Sequence, residues 1–317
     1  MTKLSPVVLF VYNRPEHTRL TVEALLRNEL ASESDLYVFS DAAKQPSDEQ
    51  SVQVVRNYIR NIKGFRNIHI VERTANLGLA NSIISGVTVI INMRDRVIVL
   101  EDDMITSPYF LQFMNDALDI YEEEEKVVSI HGYLYPLKTI QPETFFIKGA
   151  DCWGWATWKR GWDLIEMDGE KLFKMIVEQK KQHEFNMDGS YNFVNMLKDQ
   201  IAGRNNSWAI RWYASAFLKD KLTLYPGISL LKNIGFDSSG VHCGASNVYD
   251  VEIADRRICV RKIELIENRA VRRCFASFNK RKLKIPFHKR LIRKMRKEAG
   301  KFIKLHSPPL VVDFIRL

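Results

Sequence analysis

The sequence lacks several patterns that mark common protein classes. No apolar run in its 317 residues reaches the roughly 18 residues that a membrane-spanning helix needs. Neither GxGxxG after the first predicted strand nor a GxxxxGK phosphate loop is present, which excludes the usual dinucleotide and P-loop cradles. The cysteines form no CxxC pair or other zinc spacing; they are Cys152, Cys243, Cys259 and Cys274. With no signal-peptide pattern before the first strand, we expect a cytoplasmic protein with reduced thiols.

The charge is unevenly distributed along the chain. The net charge of +9 combines a mildly acidic body with a strongly basic C-terminal segment. Residues 256–306 hold 19 Lys and Arg against 3 Asp and Glu, whereas residues 1–255 have a net charge of −7. Such asymmetry predicts a tail that meets anionic lipid or nucleic acid.

Strand and helix patterns alternate through the first 135 residues. Apolar, β-branched runs predict strands at 6–12, 36–41, 67–71 and 97–100. Helical spacing of apolar residues predicts helices at about 14–30, 47–62, 76–93 and 107–121. This order predicts an α/β fold with a mostly parallel sheet and helices on both faces.

The alternation loosens after an apolar run at 127–130. Residues 133–165 read as a tryptophan-rich loop, followed by helices near 170–181, 190–202 and 208–219 and a late strand at 222–231. We therefore predict three segments: a first half at 1–135, a second half at 136–255 and a basic helical tail at 256–317.

The end of the fourth predicted strand is the most informative segment. Glu101, Asp102 and Asp103 follow the apolar residues 97–100 directly, and parallel sheets bind ligands beyond the carboxyl ends of their strands. Adjacent carboxylates repel one another, so a divalent cation is their natural partner. Oxygen ligands of this kind suit Mg²⁺ or Mn²⁺, with phosphate and water completing the shell. A solvated acidic turn is the alternative, which the strand placement disfavours.

Polar residues also follow the other predicted strands. Tyr12 and Arg14 come after the first strand, and an arginine at a helix N-terminus is suited to a phosphate or a base. Asp41 ends the second strand, where it can accept from a nucleobase or ribose. Asn76 and Gly78 open a helix with free backbone amides. A surface arginine and a turn aspartate are the alternatives for Arg14 and Asp41.

Two features of the second half suit sugar chemistry. Tryptophan rings stack on sugar faces, where polarised C–H groups meet the negative face of the ring. The four tryptophans between 153 and 162 are too close in sequence to share one core, so at least one is expected to line a cleft. His242 lies between Gly240 and Gly244, in a segment able to fold over a site; a structural histidine is the alternative.

Together these segments resemble the GT-A-type nucleotide-sugar glycosyltransferases, including N-acetylglucosaminyltransferase I and bacterial sugar transferases of similar build. The resemblance covers residues 5–245. Its most specific parts are the strand with EDD, then Pro and aromatic residues at 99–110, and the WGWATW sequence at 153–158. Weaker parts are residues 12–14, 40–41 and 224–242.

The resemblance implies roles for these residues. It makes Asp103 and His242 ligands of Mn²⁺ or Mg²⁺. It places Glu101 and Asp102 against the ribose, the base or metal-bound water. The other residues implied to contact a UDP-sugar are Tyr12, Arg14, Asp41, Asn76, Gly78, Trp153 and Trp155. The first half would then bind the nucleotide sugar and the second half the acceptor.

One departure from the family concerns the general base that an acceptor hydroxyl needs. The family carries an acid at the start of the helix after the tryptophan loop, whereas residues 207–212 read Ser-Trp-Ala-Ile-Arg-Trp. Asp151, Asp163 and Asp188 are substitutes by proximity in sequence alone. The resemblance slightly favours inversion of stereochemistry, and retention stays open.

The resemblance implies a metal-dependent glycosyltransferase of bacterial surface-polysaccharide assembly. Such an enzyme passes a sugar from a UDP-sugar to a hydroxyl of a glycan or lipid-linked oligosaccharide. The alternatives are a nucleotidyltransferase acting on sugar phosphates and a non-catalytic sugar-binding protein, the latter favoured by the missing base.

The basic tail predicts the protein's place in the cell. After Pro286, apolar residues recur at helical spacing with Lys and Arg between them, as in helices that lie in a membrane interface. We therefore expect a peripheral protein bound to the anionic inner face of the cell membrane. The alternative is a helix packed on the catalytic domain; nucleic acid is not expected because no binding motif is recognisable.

Overall fold

The computed structural model describes residues 4–237 and 247–282. Two predictions lie outside these residues: the role of His242 and the membrane-interface helix after Pro286. Among the described residues, none of the helices combines the length and the apolar character needed to cross a membrane.

Ten strands and ten helices form within the described residues. The strands are β1 Val7–Val11, β2 Asp35–Ser40, β3 Asn67–Glu72, β4 Arg96–Glu101, β5 Met104–Thr106, β6 Val127–His131, β7 Thr144–Lys148, β8 Trp155–Trp158, β9 Leu222–Pro226 and β10 Leu231–Asn233. The helices are α1 Pro15–Leu26, α2 Glu49–Ile59, α3 Gly78–Arg94, α4 Phe110–Ile120, α5 Lys159–Trp162, α6 Gly169–Glu178, α7 Gln182–Phe185, α8 Phe193–Ile201, α9 Trp208–Leu218 and α10 Arg269–Lys282.

Eight strands form one mixed sheet in the order β3-β2-β1-β4-β8-β6-β9-β7. The first four predicted strands pair in parallel, and β6 pairs in parallel with β9. Strands β8 and β7 run antiparallel to their neighbours. The predicted α/β fold with a mostly parallel sheet is confirmed, because short βα connections force the alternating segments into parallel order.

Helices cover both faces of the sheet, as predicted. Alternate residues of each strand point to opposite faces, so Leu9 and Val8 of β1 belong to different clusters of buried side chains. The cluster that holds Leu9 also takes in α1, α2 and α4. The cluster that holds Val8 takes in α3 and α9. Both faces of the central strands are therefore closed to solvent, and ligands are left with the sheet edges.

The second half differs in part from the prediction. The helices expected near 170–181, 190–202 and 208–219 are present as α6, α8 and α9. The predicted tryptophan-rich loop instead contains two strands, β7 and the central strand β8. The predicted late strand is interrupted and forms β9 and β10, and β10 pairs antiparallel with β5.

Residues 256–282 pack on the body of the protein. Ile258 and Val260 are buried in the cluster that also contains α4. Helix α10 buries Val271 and Phe275 against a cluster that includes Tyr225 of β9. The segment boundary predicted at 255/256 therefore separates no independent unit, because apolar side chains on both sides of it share one core.

Candidate functional site

An acidic run, residues 101–103, lies where β4 ends at the carboxyl edge of the sheet. Two neighbouring elements hold its backbone in place. The hydroxyl of Thr21, on α1, donates a 2.8 Å hydrogen bond to the carbonyl of Asp102. The amide of Ile234, just after β10, donates a 2.9 Å bond to the carbonyl of Asp103. The carboxylates therefore project from a fixed turn and not from a free loop.

Arg14 pairs with two carboxylates of the acidic run. Its Nη2 donates to Oδ1 of Asp102 and, at 3.1 Å, to Oδ2 of Asp103. The three side chains are largely buried, with exposed fractions of 18%, 5% and 12%. Arg14 was predicted to contact a nucleotide; in this structure its guanidinium offsets part of the charge of the acidic run.

The acidic run carries more negative charge than Arg14 neutralises. Burial, followed by the charges of Asp103 and Asp102, raises the pKa of Glu101 to about 8. Burial also raises the pKa of Asp102 to about 6, although Arg14 opposes that shift. Carboxyl groups with raised pKa values are poorly satisfied as anions, so the site favours any further cation that can reach it.

The acidic run fits a cation that is shared with a phosphate. Oδ1 of Asp103 is buried and has no hydrogen-bond partner among the residues that the structure describes, which leaves a lone pair available to a metal. Among the described residues, however, no three His, Cys, Asp or Glu side chains are arranged to hold an ion by themselves. Mg²⁺ commonly binds through one or two carboxylates together with substrate phosphates, and the residues present match that arrangement.

Gly235 lies directly against the acidic run. A Cβ on this residue would stand 2.2 Å from Oδ2 of Asp103 and 3.2 Å from Nη1 of Arg14. Its amide donates a 2.8 Å bond to Oδ1 of Asn233, which holds the turn. Only glycine lets the backbone approach the carboxylate this closely.

Tyr12 and its neighbours border the site at the end of β1. The hydroxyl of Tyr12 donates to Oδ2 of Asp48 at 3.0 Å and accepts from the amide of Lys44 at 2.9 Å. Nδ2 of Asn13 donates to the same carboxylate at 3.1 Å. The segment after β2 is thereby tied to the end of β1 and forms one wall beside Arg14.

Asp41, Asn76 and Gly78 meet at the carboxyl edge, but they bond mainly to protein atoms. The carboxylate of Asp41 accepts from the amides of Leu77 and Gly78, each at 2.9 Å, and only 5% of the residue is exposed. Nδ2 of Asn76 donates to the carbonyl of Ala42 at 2.7 Å. Asp41 thus caps the N-terminus of α3, so its predicted nucleotide contact is secondary to a structural role.

The two tryptophans predicted to contact the sugar have different surroundings. Trp155 is 1% exposed and packs against Trp162, Trp208 and Trp212. It is a core residue in the centre of the sheet, so the ligand contact predicted for it is wrong. Trp153 is partly exposed and remains a candidate.

The three candidate bases are far from equivalent. Asp163 follows α5, and the amide of Lys159 bonds to the carbonyl of Asp95, just before β4 begins. Asp163 therefore lies at the amino edge of the sheet, opposite the acidic run, and it pairs with Lys159 at 2.7 Å. This position excludes the catalytic role predicted for Asp163.

Asp188 is bound in an internal ion pair. Its carboxylate accepts from Nε of Arg272 at 2.9 Å and from Nη2 at 3.0 Å, and Arg272 also bonds to Glu267. A bidentate pair of this kind fixes α10 to the body. Asp188 is structural in this arrangement and does not serve the predicted role.

Asp151 is the candidate base that reaches the site. It precedes β8, and Trp155 at the start of β8 pairs with Val99 and His131. The residues just before Trp155 therefore lie at the carboxyl edge, beside the acidic run. About a quarter of the Asp151 side chain is exposed, so a ligand can reach it.

His131, at the end of β6, was missed in the sequence. It is fully buried, neither ring nitrogen has a hydrogen-bond partner within the described part of the chain, and Nε2 lies 3.7 Å from Oδ2 of Asp151. Burial lowers the pKa of His131, against the opposing charge of Asp151. The signal was available, since His131 ends an apolar strand in the same way that the acidic run does.

A cavity of about 180 Å³ opens beside Asp151. Asp151, Trp153, Tyr225, Tyr249 and Phe275 are among the residues that line it. The hydroxyls of Tyr135 and Tyr225 each donate to Oδ2 of Asp151 at 3.3 Å. We call this space the aromatic cavity.

Comparisons with known proteins are weak. No family model matches the sequence, and no curated protein matches it. Among solved structures, the chain is similar to the mannosyltransferase PcManGT from Pyrobaculum calidifontis, in complex with GDP-Man and Mn²⁺. Identity is 14%, the TM-score is 0.32, and the match covers 41% of this chain and 35% of that one.

Two further structures show a similar level of likeness. TarS 1–349 of S. aureus in complex with UDP is 15% identical with a TM-score of 0.31, over 44% of this chain and 40% of that one. UDP-glucose pyrophosphorylase complexed with UDP-glucose is 13% identical with a TM-score of 0.34, over 70% and 90%. The chain thus spans only 35% of the length of PcManGT and 40% of the length of TarS 1–349. Similarities this weak do not indicate a function for this chain, which has to be inferred from the sheet order and the site geometry.

Proposed function

We propose that the protein is a GT-A-type glycosyltransferase of bacterial surface-polysaccharide assembly. It would move a hexosyl or N-acetylhexosaminyl group from a UDP-sugar to a hydroxyl of a glycan or lipid-linked oligosaccharide. The proposal rests on one observation, that an acidic run able to hold a cation and a partly exposed carboxylate, Asp151, lie at the same edge of the sheet.

Cys152 marks how closely these two groups approach. Burial is the main cause that raises the pKa of its thiol, and the charges of Asp151, Glu101 and Asp103 raise it further. The thiol therefore lies within electrostatic reach of both carboxylate groups. A donor held at the acidic run and an acceptor held at Asp151 would meet next to Cys152.

The acidic run would hold Mn²⁺ or Mg²⁺ through Asp103, with Asp102 beside it. When bound, the cation would neutralise charge on the departing nucleoside diphosphate. Arg14 has two oxygen partners already at hand and would supply a further positive charge to a diphosphate oxygen. Bidentate guanidinium geometry suits phosphate as well as carboxylate.

Asp151 would act as general base in the transfer. The acceptor oxygen bonds to the anomeric carbon while the bond from that carbon to the diphosphate oxygen breaks. The hydroxyl proton passes to Asp151, and the nucleoside diphosphate leaves with the bonding electron pair. Tyr135 and Tyr225 orient the carboxylate through Oδ2. Among the described residues, Oδ1 accepts only the amide of Cys152, so it keeps a lone pair for this proton.

Uracil is the base that we propose for the donor. Acceptor oxygens border the wall formed by the segment after β2, namely the carboxylate of Asp41 and the carbonyl of Ala42. Acceptors suit the N3–H donor of uracil. UDP with Mn²⁺ should raise the melting temperature more than GDP or CMP does, and equal protection by GDP would contradict a UDP donor.

A panel of UDP-sugars, incubated with and without Mn²⁺, tests the function directly. We expect slow release of UDP that depends on the metal. Release of pyrophosphate from UTP and a sugar phosphate would instead identify a nucleotidyltransferase. Sugar binding with neither reaction would identify a non-catalytic sugar-binding protein.

The role of Asp103 has its own test. Asp103→Ala should abolish turnover of the UDP-sugar, and it should also lower the free energy of unfolding, because the largely buried Asp103 pairs with Arg14. The exposed Asp255 provides a matched control, and Asp255→Ala should keep full turnover. An active Asp103→Ala enzyme would refute the metal assignment.

We also propose that residues 283–317 attach the protein to the inner face of the cell membrane. This segment holds 10 Lys and Arg against 2 Asp and Glu, and each basic residue near an anionic leaflet contributes about 1 kcal/mol. Because residues 256–282 belong to the folded body, the test truncates after Lys282. The full chain should co-sediment with anionic but not neutral vesicles and detach at high salt. Binding that survives the truncation would refute the anchor.

A further inference from the structure

We propose that the aromatic cavity holds one uncharged sugar ring of the acceptor and rejects acidic sugars. This inference rests on the proposed transfer to a hydroxyl, and it adds the substrate class. Its support is the size of the cavity, the nature of its walls and the charge of its polar groups.

The size of the cavity limits the ligand to a small ring. Its volume of about 180 Å³ is below the roughly 300 Å³ at which pockets for drug-sized ligands begin. A single pyranose with its hydroxyls is a compact ligand for such a space, and the rest of a glycan would remain outside.

The walls are suited to the C–H faces of a sugar. Tyr135 stands edge-on to Phe275 with ring centroids 4.9 Å apart, and Trp153 stands edge-on to Tyr249 at 5.3 Å. Rings that brace one another in this way lose little freedom when a ligand stacks on them. Aromatic faces carry negative potential, which attracts the polarised C–H groups of a sugar.

The floor of the cavity is anionic. Asp151 offers a partly exposed carboxylate, and the neighbouring His131 is buried with a lowered pKa, so it does not supply a compensating charge near neutral pH. Lys148 also lines the cavity, but its ammonium group pairs with Glu184 at 2.8 Å and with Asp220 at 2.6 Å.

Lys282 lies against two of the aromatic rings that line the cavity. Its Nζ lies 4.3 Å from the centroid of the Tyr249 ring and 5.4 Å from that of Tyr191. It does not line the cavity. Among the described residues that line the cavity, Lys148 is the only cation and it is paired, so a sugar carboxylate there would face Asp151 without an available counter-ion, and like charges at short range are unfavourable.

Saturation-transfer NMR with methyl glycosides tests the inference without a donor. Neutral methyl hexosides and N-acetylhexosaminides should bind the full-length protein, and the methyl glycoside of glucuronic acid should bind at least about tenfold more weakly. Asp151→Asn should recover most of that tenfold difference, since it removes the like charge. A uronate that binds the wild-type protein as well as the neutral sugars do would overturn the proposal.

A second pair of variants locates the binding site. Ala209 lines the cavity, and Ala209→Phe should fill it and reduce binding of the neutral glycosides about tenfold. Ala202 is exposed, next to the end of α8, and Ala202→Phe should leave binding unchanged. Binding that survives Ala209→Phe would place the sugar elsewhere and overturn the assignment.

Nucleotide binding separates this inference from the proposed function. Thermal protection by UDP and Mn²⁺ reports on the donor site, whereas the glycoside measurements report on the cavity. Glycosides that bind in a protein that UDP does not protect would support the cavity as a sugar site and refute the transferase. UDP protection with no glycoside binding would overturn the cavity alone.

Discussion

Nη2 of Arg14 lies 3.1 Å from Oδ2 of Asp103, and the same nitrogen reaches Oδ1 of Asp102. The guanidinium thus offsets part of the negative charge of the acidic run. Removal of one partner of a buried charge pair leaves the other uncompensated, which typically costs about 3–5 kcal/mol.

Substitution of Arg14 should therefore make the fold depend on divalent metal. Arg14→Leu should lower the melting temperature in the presence of EDTA, and added Mn²⁺ should restore part of the loss because it replaces the missing charge. The exposed Arg257 provides the control, since Arg257→Leu should respond to neither condition. A stability of Arg14→Leu that ignores Mn²⁺ would contradict a cation at this place.

A methyl group at residue 235 should disturb the acidic run. Gly235→Ala places a Cβ 2.2 Å from Oδ2 of Asp103, so the carboxylate must move and turnover should fall at least tenfold. The double variant Gly235→Ala/Asp103→Ala removes the clash, and its melting temperature should be no lower than that of Gly235→Ala. If the double variant lost as much stability as the two single variants lose together, these residues would not interact.

Substitution by asparagine should have different effects at the three candidate bases, because only Asp151 lies at the carboxyl edge beside the acidic run. Asp151→Asn should reduce turnover by about 10²–10⁴-fold, the usual contribution of general base catalysis. Asp163→Asn should have almost no effect on turnover, because Asp163 lies at the opposite edge of the sheet. Asp188→Asn should mainly reduce stability through its pair with Arg272. Comparable kinetic defects in all three variants would contradict Asp151 as the base.

Truncation of Trp153 and of Trp155, which flank Gly154, should affect different properties of the protein. Trp155→Ala leaves a cavity in the core and should lower the free energy of unfolding by about 3–5 kcal/mol, as measured by urea denaturation. Trp153→Ala should cost less stability and should weaken glycoside binding. If Trp155→Ala left stability intact, the four-tryptophan cluster would not be a core element.

The buried imidazole of His131 should make stability fall in mild acid. Its pKa is lowered in the folded state, so below about pH 6.5, its unperturbed value, the unfolded chain binds more protons than the folded one. The free energy of unfolding should therefore fall as the pH decreases from 7 to 5. His131→Gln should flatten this part of the pH profile, whereas His183→Gln, at an exposed position, should not. An unchanged slope in His131→Gln would refute the assignment.

The sequence alone determined the features that depend on local patterns. The strand before Glu101, the alternation of strands and helices through α4, and the helices α6, α8 and α9 follow from periodicity, turn chemistry and strand length. Because the carboxyl ends of parallel strands meet at one edge, the grouping of Arg14, Asp41 and the acidic run was also predictable. The pairing of Arg14 with Asp102 was not predictable, since it depends on how the tertiary structure places the two side chains.

Tertiary structure decided everything that depends on the insertion of β8. A strand placed antiparallel between β4 and β6 sends the residues before it to one edge of the sheet and those after it to the other. Asp151 and Asp163 flank this strand and so lie at opposite edges, although both are near it in sequence. The central position of β8 also buries Trp155 while Trp153 reaches the cavity. Sequence spacing carries no information on the direction in which a strand joins a sheet, because long-range pairing fixes it.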